Sequence, residues 1–166
     1  MNTDLIDRLI EEWQQEQPAF DTNAMHVVGR IMRLGRAYET EAARVLESFD
    51  LSYTEFDIVA TLRRSGKPYQ LTPGALARTV LLTSGAMTAA LDRLESKELI
   101  VRVASDTDRR VRAAKLTRKG ARQAIKASAA RFATAEDAVA SLTGSQRAAL
   151  TGLLKTLMAQ PGSEND

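Results

Sequence analysis

Leu71-Thr-Pro-Gly-Ala-Leu-Ala-Arg-Thr-Val-Leu-Leu-Thr-Ser-Gly-Ala-Met-Thr-Ala-Ala-Leu-Asp-Arg-Leu-Glu95 is the stretch on which the fold turns. Thr72-Pro73 reads as an N-cap followed by an N1 proline, opening a short helix from Pro73 to about Thr79. Thr83 caps a second helix running to about Lys97, whose Met87, Leu91 and Leu94 face inward, and Val80-Leu81-Leu82 is the turn between the two. This pattern predicts a helix-turn-helix, whose second helix is narrow enough to enter a major groove.

Upstream, a helix starting at Thr54 carries Phe56, Val59 and Leu62 until Gly66-Lys67-Pro68 breaks it. Downstream, Leu99–Val103 and Val111–Leu116 read as two short strands joined by Ser105–Arg110, a hairpin with a charged, basic-ended tip. Helix, short helix, turn, helix, hairpin is the winged helix-turn-helix order. Farther out, Thr3 is the expected N-cap of a helix striped by Leu5, Ile6, Leu9, Ile10 and Trp13 and stopped by Pro18.

A long helix from about Asn23 to Phe49 spaces Val28, Ile31, Gly35, Tyr38, Ala42, Val45 and Phe49 by threes and fours. At about 25 residues it spans nearly 40 Å, more than one small core needs, which predicts packing on another subunit. Thr117 caps an alanine-rich helix with Ala121, Ile125, Ser128, Phe132, Ala135 and Val139 on one stripe. Thr143-x-x-Gln146 is a capping box for the last helix, whose Leu150, Leu153, Leu154 and Leu157 precede Pro161. The expected fold is therefore mainly α with a small β-hairpin wing: a winged helix-turn-helix at 51–117, a helical dimerisation layer from 1–50 and 118–160, and a disordered tail at 161–166.

Composition agrees with a one-domain soluble chain: 166 residues, 44% hydrophobic and 27% charged. No apolar run reaches the roughly 18 residues of a membrane span, and the acidic N-terminus (Asp4, Asp7, Glu11, Glu12) is no signal peptide, which predicts a cytoplasmic protein with no membrane partner. Without cysteine and with one histidine, the chain has no thiolate zinc site, iron–sulfur site or disulfide, and no cofactor is implied. His26 lies in the apolar run Ala24-Met-His-Val-Val28, where packing or capping is the expected role, and no Gly-x-Ser-x-Gly accompanies it; an enzyme is not expected.

The net charge of +2 hides an uneven distribution. Arg63 to Arg122 holds 14 Lys and Arg against 5 Asp and Glu, whereas the rest of the chain holds 9 against 16. A basic segment coinciding with the winged region points to double-stranded DNA, with a solvated basic face as the plain alternative. On the second helix Ser84, Gly85, Thr88, Ala89, Asp92 and Arg93 escape the inward stripe. Hydroxyls at Thr83, Ser84 and Thr88 can reach phosphates or base edges or serve only as caps; Gly85 and Ala89 permit close approach, and Arg93 is long enough for phosphate or guanine. At the wing tip Arg109 and Arg110 suit a narrow minor groove, and Asp108 either orients a guanidinium or belongs to an exposed, ion-paired turn.

Leu71-Thr-Pro-Gly-Ala-Leu-Ala77, Thr83-Ser-Gly-Ala-Met-Thr88, Leu91-Asp-Arg-Leu-Glu95, Leu99-Ile100, Asp106-x-Asp-Arg-Arg110 and Leu116-Thr117 resemble the multiple antibiotic resistance regulator (MarR) family of bacterial transcription factors over roughly Leu51 to Gly120. The resemblance implies a homodimer whose terminal helices form the dimerisation layer, two winged domains on a pseudo-palindromic operator, Arg110 in the minor groove and Asp108 supporting it. A narrower similarity, to the urate-responsive branch, rests on an additional N-terminal helix with Trp13, on Asp57 in the helix before the helix-turn-helix, and on Arg102 in the first wing strand. It implies a small aromatic or anionic effector held at Trp13, Asp57 and Arg102 between dimer layer and winged domain. That branch's recognition-helix arginine falls at Ala90 here, which removes the charged partner a urate anion requires.

Each effector residue has a plain reading: Trp13 as core, Asp57 as a first-turn carboxylate, Arg102 as a phosphate contact. The expected function is a ligand-responsive repressor, in which effector binding weakens DNA binding. The chief rival is an architectural DNA binder without effector; a winged module of an enzyme or a protein adaptor fits the charge and motif pattern less well.

Overall fold

The computed structural model describes residues 3–80, 83–104 and 111–159, and Ser84 by its backbone alone. It has two compact units, Met1–Tyr53 and Thr54–Asp166. Seven helices and three strands follow in the described residues: α1 (Leu5–Glu16), α2 (Met25–Glu47), α3 (Tyr53–Arg64), β1 (Gln70–Leu71), α4 (Pro73–Val80), α5 (Ser84–Ser96), β2 (Ile100–Ala104), β3 (Arg112–Leu116), α6 (Arg118–Ala138) and α7 (Gly144–Met158). The fold is mainly helical with a small antiparallel sheet, as expected. No single helix among the described residues is long and apolar enough to cross a membrane.

In the first unit α1 opens on a capping box, with Asp4 rather than Thr3 as the N-cap. The Asp4 carboxylate accepts from the Ile6 and Asp7 amides, and the Asp7 carboxylate accepts from the Asp4 amide. Carboxylates there also meet the positive end of the helix dipole, an advantage a threonine at the preceding position lacks. Ile6 and Ile10 are buried, and Gly29 of α2 lets Ile6 approach so closely that a Cβ there would stand 3.2 Å from it. Arg30 ties the two helices, donating from Nε to Asp4 (2.9 Å) and from Nη2 to Asp7 (2.6 Å). His26 is exposed rather than packed: its carbonyl accepts from Arg30 Nη1 at 2.7 Å, and its ring Nδ1 lies 3.6 Å from Asp7.

In the second unit the core gathers Ile58, Val59 and Leu62 of α3, Leu76 of α4, Met87, Ala90, Leu91 and Leu94 of α5, and Leu99, Ile100, Ala113, Ala114 and Leu116 from the sheet region. The strand order is β1-β3-β2. The hairpin pairs Ile100 with Leu116 and Ala104 with Arg112, while Gln70 and Leu71 add a third strand opposite Lys115 and Ala114. Two residues are too short to display an alternation, so β1 had no signature in the sequence.

The chain leaves α5 through Glu98 at φ 60°, with Glu98 N–H donating to Glu95 O and Leu99 N–H to Leu94 O, the pairing of a Schellman cap. Thr117 then caps α6, its hydroxyl accepting from Gly120 N–H at 2.9 Å and donating to Glu98 O at 2.8 Å. Gly120 is buried against the Leu99 carbonyl, where any Cβ would overlap backbone.

Candidate nucleic-acid interface

The helix-turn-helix is α4 and α5, and a threonine cap starts each of them. Thr72 Oγ1 accepts from Ala75 N–H at 3.3 Å, and Thr83 Oγ1 accepts from Ala86 N–H at the same distance. The Thr83 hydroxyl is thus a cap whose proton remains for an outside acceptor. Buried Met87, Ala90, Leu91 and Leu94 fasten one side of α5, leaving Gly85, Thr88, Ala89, Asp92 and Arg93 exposed. The inward and outward faces predicted from the spacing are the observed ones. The Ser84 side chain and the wing-tip residues Asp106, Asp108, Arg109 and Arg110 lie outside the described residues, as do the expected tail at 161–166 and most of the turn before α5.

The charges of α5 divide between its two flanks. Glu55 of α3 is 2% exposed, and its Oε1 accepts from Arg93 Nε and its Oε2 from Lys97 Nζ, both at 3.0 Å. On the other flank Asp92 and Glu95 hold Arg102 of β2. Asp92 accepts from Arg102 Nη2, Glu95 Oε1 accepts from the Arg102 amide at 3.1 Å, and Arg102 Nε stands 3.4 Å from Glu95 Oε2. Arg112 of β3 completes the corner by donating from Nη2 to the Arg102 carbonyl at 2.8 Å. Cations of the helix face α3 and anions face the wing strand.

Neither Glu55 nor the division of charge was predicted. A signal existed: Arg93 and Lys97 are like charges at i and i+4, a pairing that destabilises a helix unless an anion outside it intervenes.

Trp13 is 54% exposed and tilts against Phe20 with ring centroids 5.8 Å apart, so it is not core. Arg102 is engaged by Asp92 and Glu95. Asp57 is half-buried on α3, and burial pushes its carboxyl above the ordinary carboxylate value, opposed by the guanidinium groups of Arg64 and Arg131. The hydroxyl of Thr61, one turn after Asp57, and Nε of Arg131 are both buried without a hydrogen-bond partner. Ala90 is fully buried core.

Residues 49–111 match the MarR family model. The HTH-type transcriptional regulator PecS of Dickeya dadantii is 32% identical over 115 residues, which is 69% of either chain. Among solved structures, a mutant of Escherichia coli MarR complexed with operator DNA matches with a TM-score of 0.68 at 23% identity, covering 94% of this chain and 99% of that one. A Mycobacterium tuberculosis MarR family protein in complex with p-aminosalicylic acid matches with a TM-score of 0.61 at 28% identity, covering 80% of this chain and 98% of that one. PecS, like the MhqR protein of Bacillus subtilis, is named as an HTH-type transcriptional regulator and not as an enzyme. With a capped helix-turn-helix, an outward face of small residues and these relatives, the chain belongs to the MarR family and is a DNA-binding transcriptional regulator.

Proposed function

We propose that the protein is a cytoplasmic homodimeric repressor that reads a pseudo-palindromic operator through α5 and the wing, and that releases it when a small aromatic or anionic effector binds. The observation that carries the DNA reading is the exposed face of Gly85, Thr88 and Ala89 on a helix fixed from behind by a closed apolar core. Small side chains let the backbone approach base edges, and Thr83, Ser84 and Thr88 supply hydroxyls at the leading end. Arg110 enters the minor groove, Arg109 reaches the neighbouring backbone, and Asp108 orients the guanidinium.

Dimerisation is supported by α7. Its 15 residues include no buried one, yet Leu150, Leu153, Leu154, Leu157 and Met158 stand on its surface. An apolar face of this extent marks an interaction surface. The dimerisation layer is drawn from residues 1–50 and 118–160.

Trp13, Asp57 and Arg102 are the effector contacts of this proposal. The M. tuberculosis relative solved with p-aminosalicylic acid, a small aromatic anion, supports the ligand class. The effector acts by binding more tightly to the form that fits DNA poorly. The test is a gel-shift titration against DNA upstream of the protein's own gene, with candidate aromatic acids added. Titration of Trp13 fluorescence runs beside it, since Trp13 is the sole tryptophan. Asp57→Asn is expected to change the response to effector more than the affinity for DNA; equal loss of both sinks the role of Asp57. Operator binding that no aromatic acid alters, with unchanged Trp13 emission, returns the architectural alternative.

A further inference from the structure

The geometry points to Glu55 as a positioning residue of the DNA interface, which fixes Arg93 for a phosphate contact that only a correctly registered operator completes, and thereby sets how well operator is distinguished from other DNA. This rests on the DNA-binding reading of α5 given above.

Glu55 is the more buried of only two polar side chains in the described core, the other being Thr61. Removing a carboxylate from water is costly unless it is paired, and truncating one member of such a set leaves a buried charge uncompensated. Here one carboxylate meets two cations of the recognition helix, one with each oxygen, and the two are a single turn apart. A guanidinium gripped at Nε cannot swing about its last bonds, while its terminal nitrogens stay available. Arg93 fits that description: its side chain is 54% exposed, and no described residue takes either Nη. Its fork is therefore held at an orientation before DNA arrives, and less side-chain freedom is lost when a phosphate is bound.

The balance of charge makes the inference sharp. Glu55 places a negative charge behind a helix that must approach phosphates, so on net charge alone it opposes DNA binding of any sequence. Orientation and charge predict opposite effects of Glu55→Gln. If Glu55 orients Arg93, the variant loses affinity for a correctly registered operator and keeps or gains affinity for unrelated DNA. If Glu55 is only a charge, both affinities rise together.

The experiment uses the full-length protein and a duplex selected by wild-type protein from a random-sequence pool, with an unrelated duplex as reference, across a salt series. Wild type, Glu55→Gln, Arg93→Ala and the double variant form a cycle. Expected are a loss of operator affinity of about tenfold for Glu55→Gln, no loss on unrelated duplex, and less than about a twofold further change when Glu55→Gln is added to Arg93→Ala. Arg93→Lys guards against misfolding of the Glu55 variant. It keeps the charge but has no fork to fix, and is expected to lose nearly as much as Arg93→Ala.

Equal losses from Glu55→Gln with and without Arg93, parallel gains on both duplexes, or an Arg93→Lys variant that binds as wild type does would each overturn the inference. A wild type that enriches no sequence from the pool overturns the DNA reading itself, which is visible before any variant is made.

Discussion

The region from α3 to β3 and the helix α7 treat their apolar residues in opposite ways. Along α3, Ile58, Val59 and Leu62 are buried, and the charged residues that remain behind α5 are matched by partners of opposite sign. Along α7 five large apolar side chains face outward and none is buried. The first unit shows the same openness at Leu9, Trp13, Phe20, Val27 and Met32. A helix hydrophobic on one face must bury that face somewhere. The winged part satisfies this within one chain, and α7 does not. The contrast divides the chain: the winged part closes its core by itself, and α7 leaves an apolar face open, the face that a second copy covers in the proposed dimer.

The largest effect that would break this contrast comes from Gly120→Ala. A methyl there overlaps the Leu99 carbonyl, where α6 closes on the sheet, and the loss of stability is expected to be about 3 kcal/mol, read as a lower midpoint in urea unfolding. Unchanged stability would mean that the close approach of α6 is not part of the fold. Next in size, Leu153→Asp places a charge on the open face of α7, with Leu153 66% exposed in the single chain. Self-association is expected to weaken by more than about tenfold in sedimentation equilibrium, with helix content retained. A variant that associates as wild type does would remove α7 from the dimer surface.

Two smaller effects sharpen the contrast through pH. Burial raises the Asp57 carboxyl in the folded chain, so its ionised form costs stability at neutral pH. Asp57→Asn is therefore expected to stabilise the protein at pH 7, and the gain should vanish as pH falls below the ordinary aspartate value of about 4, where the carboxyl is protonated in both states. A loss of stability at pH 7 would show that the Arg64 and Arg131 attractions outweigh burial.

Asp7 has the reverse sign: the Arg30 hydrogen bond, aided by the Asp4 backbone, holds its carboxyl below the ordinary value. Its contribution is present above the unfolded value and disappears as pH falls through the lowered folded one. Asp7→Asn should thus weaken protection of α1 amides from exchange at pH 7 and make little difference near pH 2. Equal protection at both pH values would sink the role of that contact.

Much of the fold was legible because it rests on local chemistry. The caps at Thr83, Thr117 and Thr143, the N1 Pro73 and the inward stripe of Met87, Leu91 and Leu94 are decided within a few residues, and each stands where it was expected. The cap of α1 moved from Thr3 to Asp4 because the carboxylate wins at a helix N-terminus next to Arg30. The pairing of Gln70 and Leu71 with β3, and the convergence of Glu55 on Arg93 and Lys97, bring together residues far apart in the chain, 38 and 42 positions in the latter case. Helical spacing carries no information about such meetings. Arg102 illustrates the point: a family resemblance marked it as a ligand contact, and its pairing with Asp92 and Glu95 is a tertiary meeting that no local pattern announces.

A homodimeric reading head that needs its wing can be put to trial in a single gel shift. Wild type and Arg110→Ala are run on the upstream DNA and on an unrelated duplex, at two salt concentrations, with the mass of the complex measured by light scattering. Expected are two chains per operator, a preference for the upstream duplex, a steep decline with salt, and a weaker Arg110→Ala. Binding by a single chain, or binding that ignores both sequence and Arg110, would contradict it.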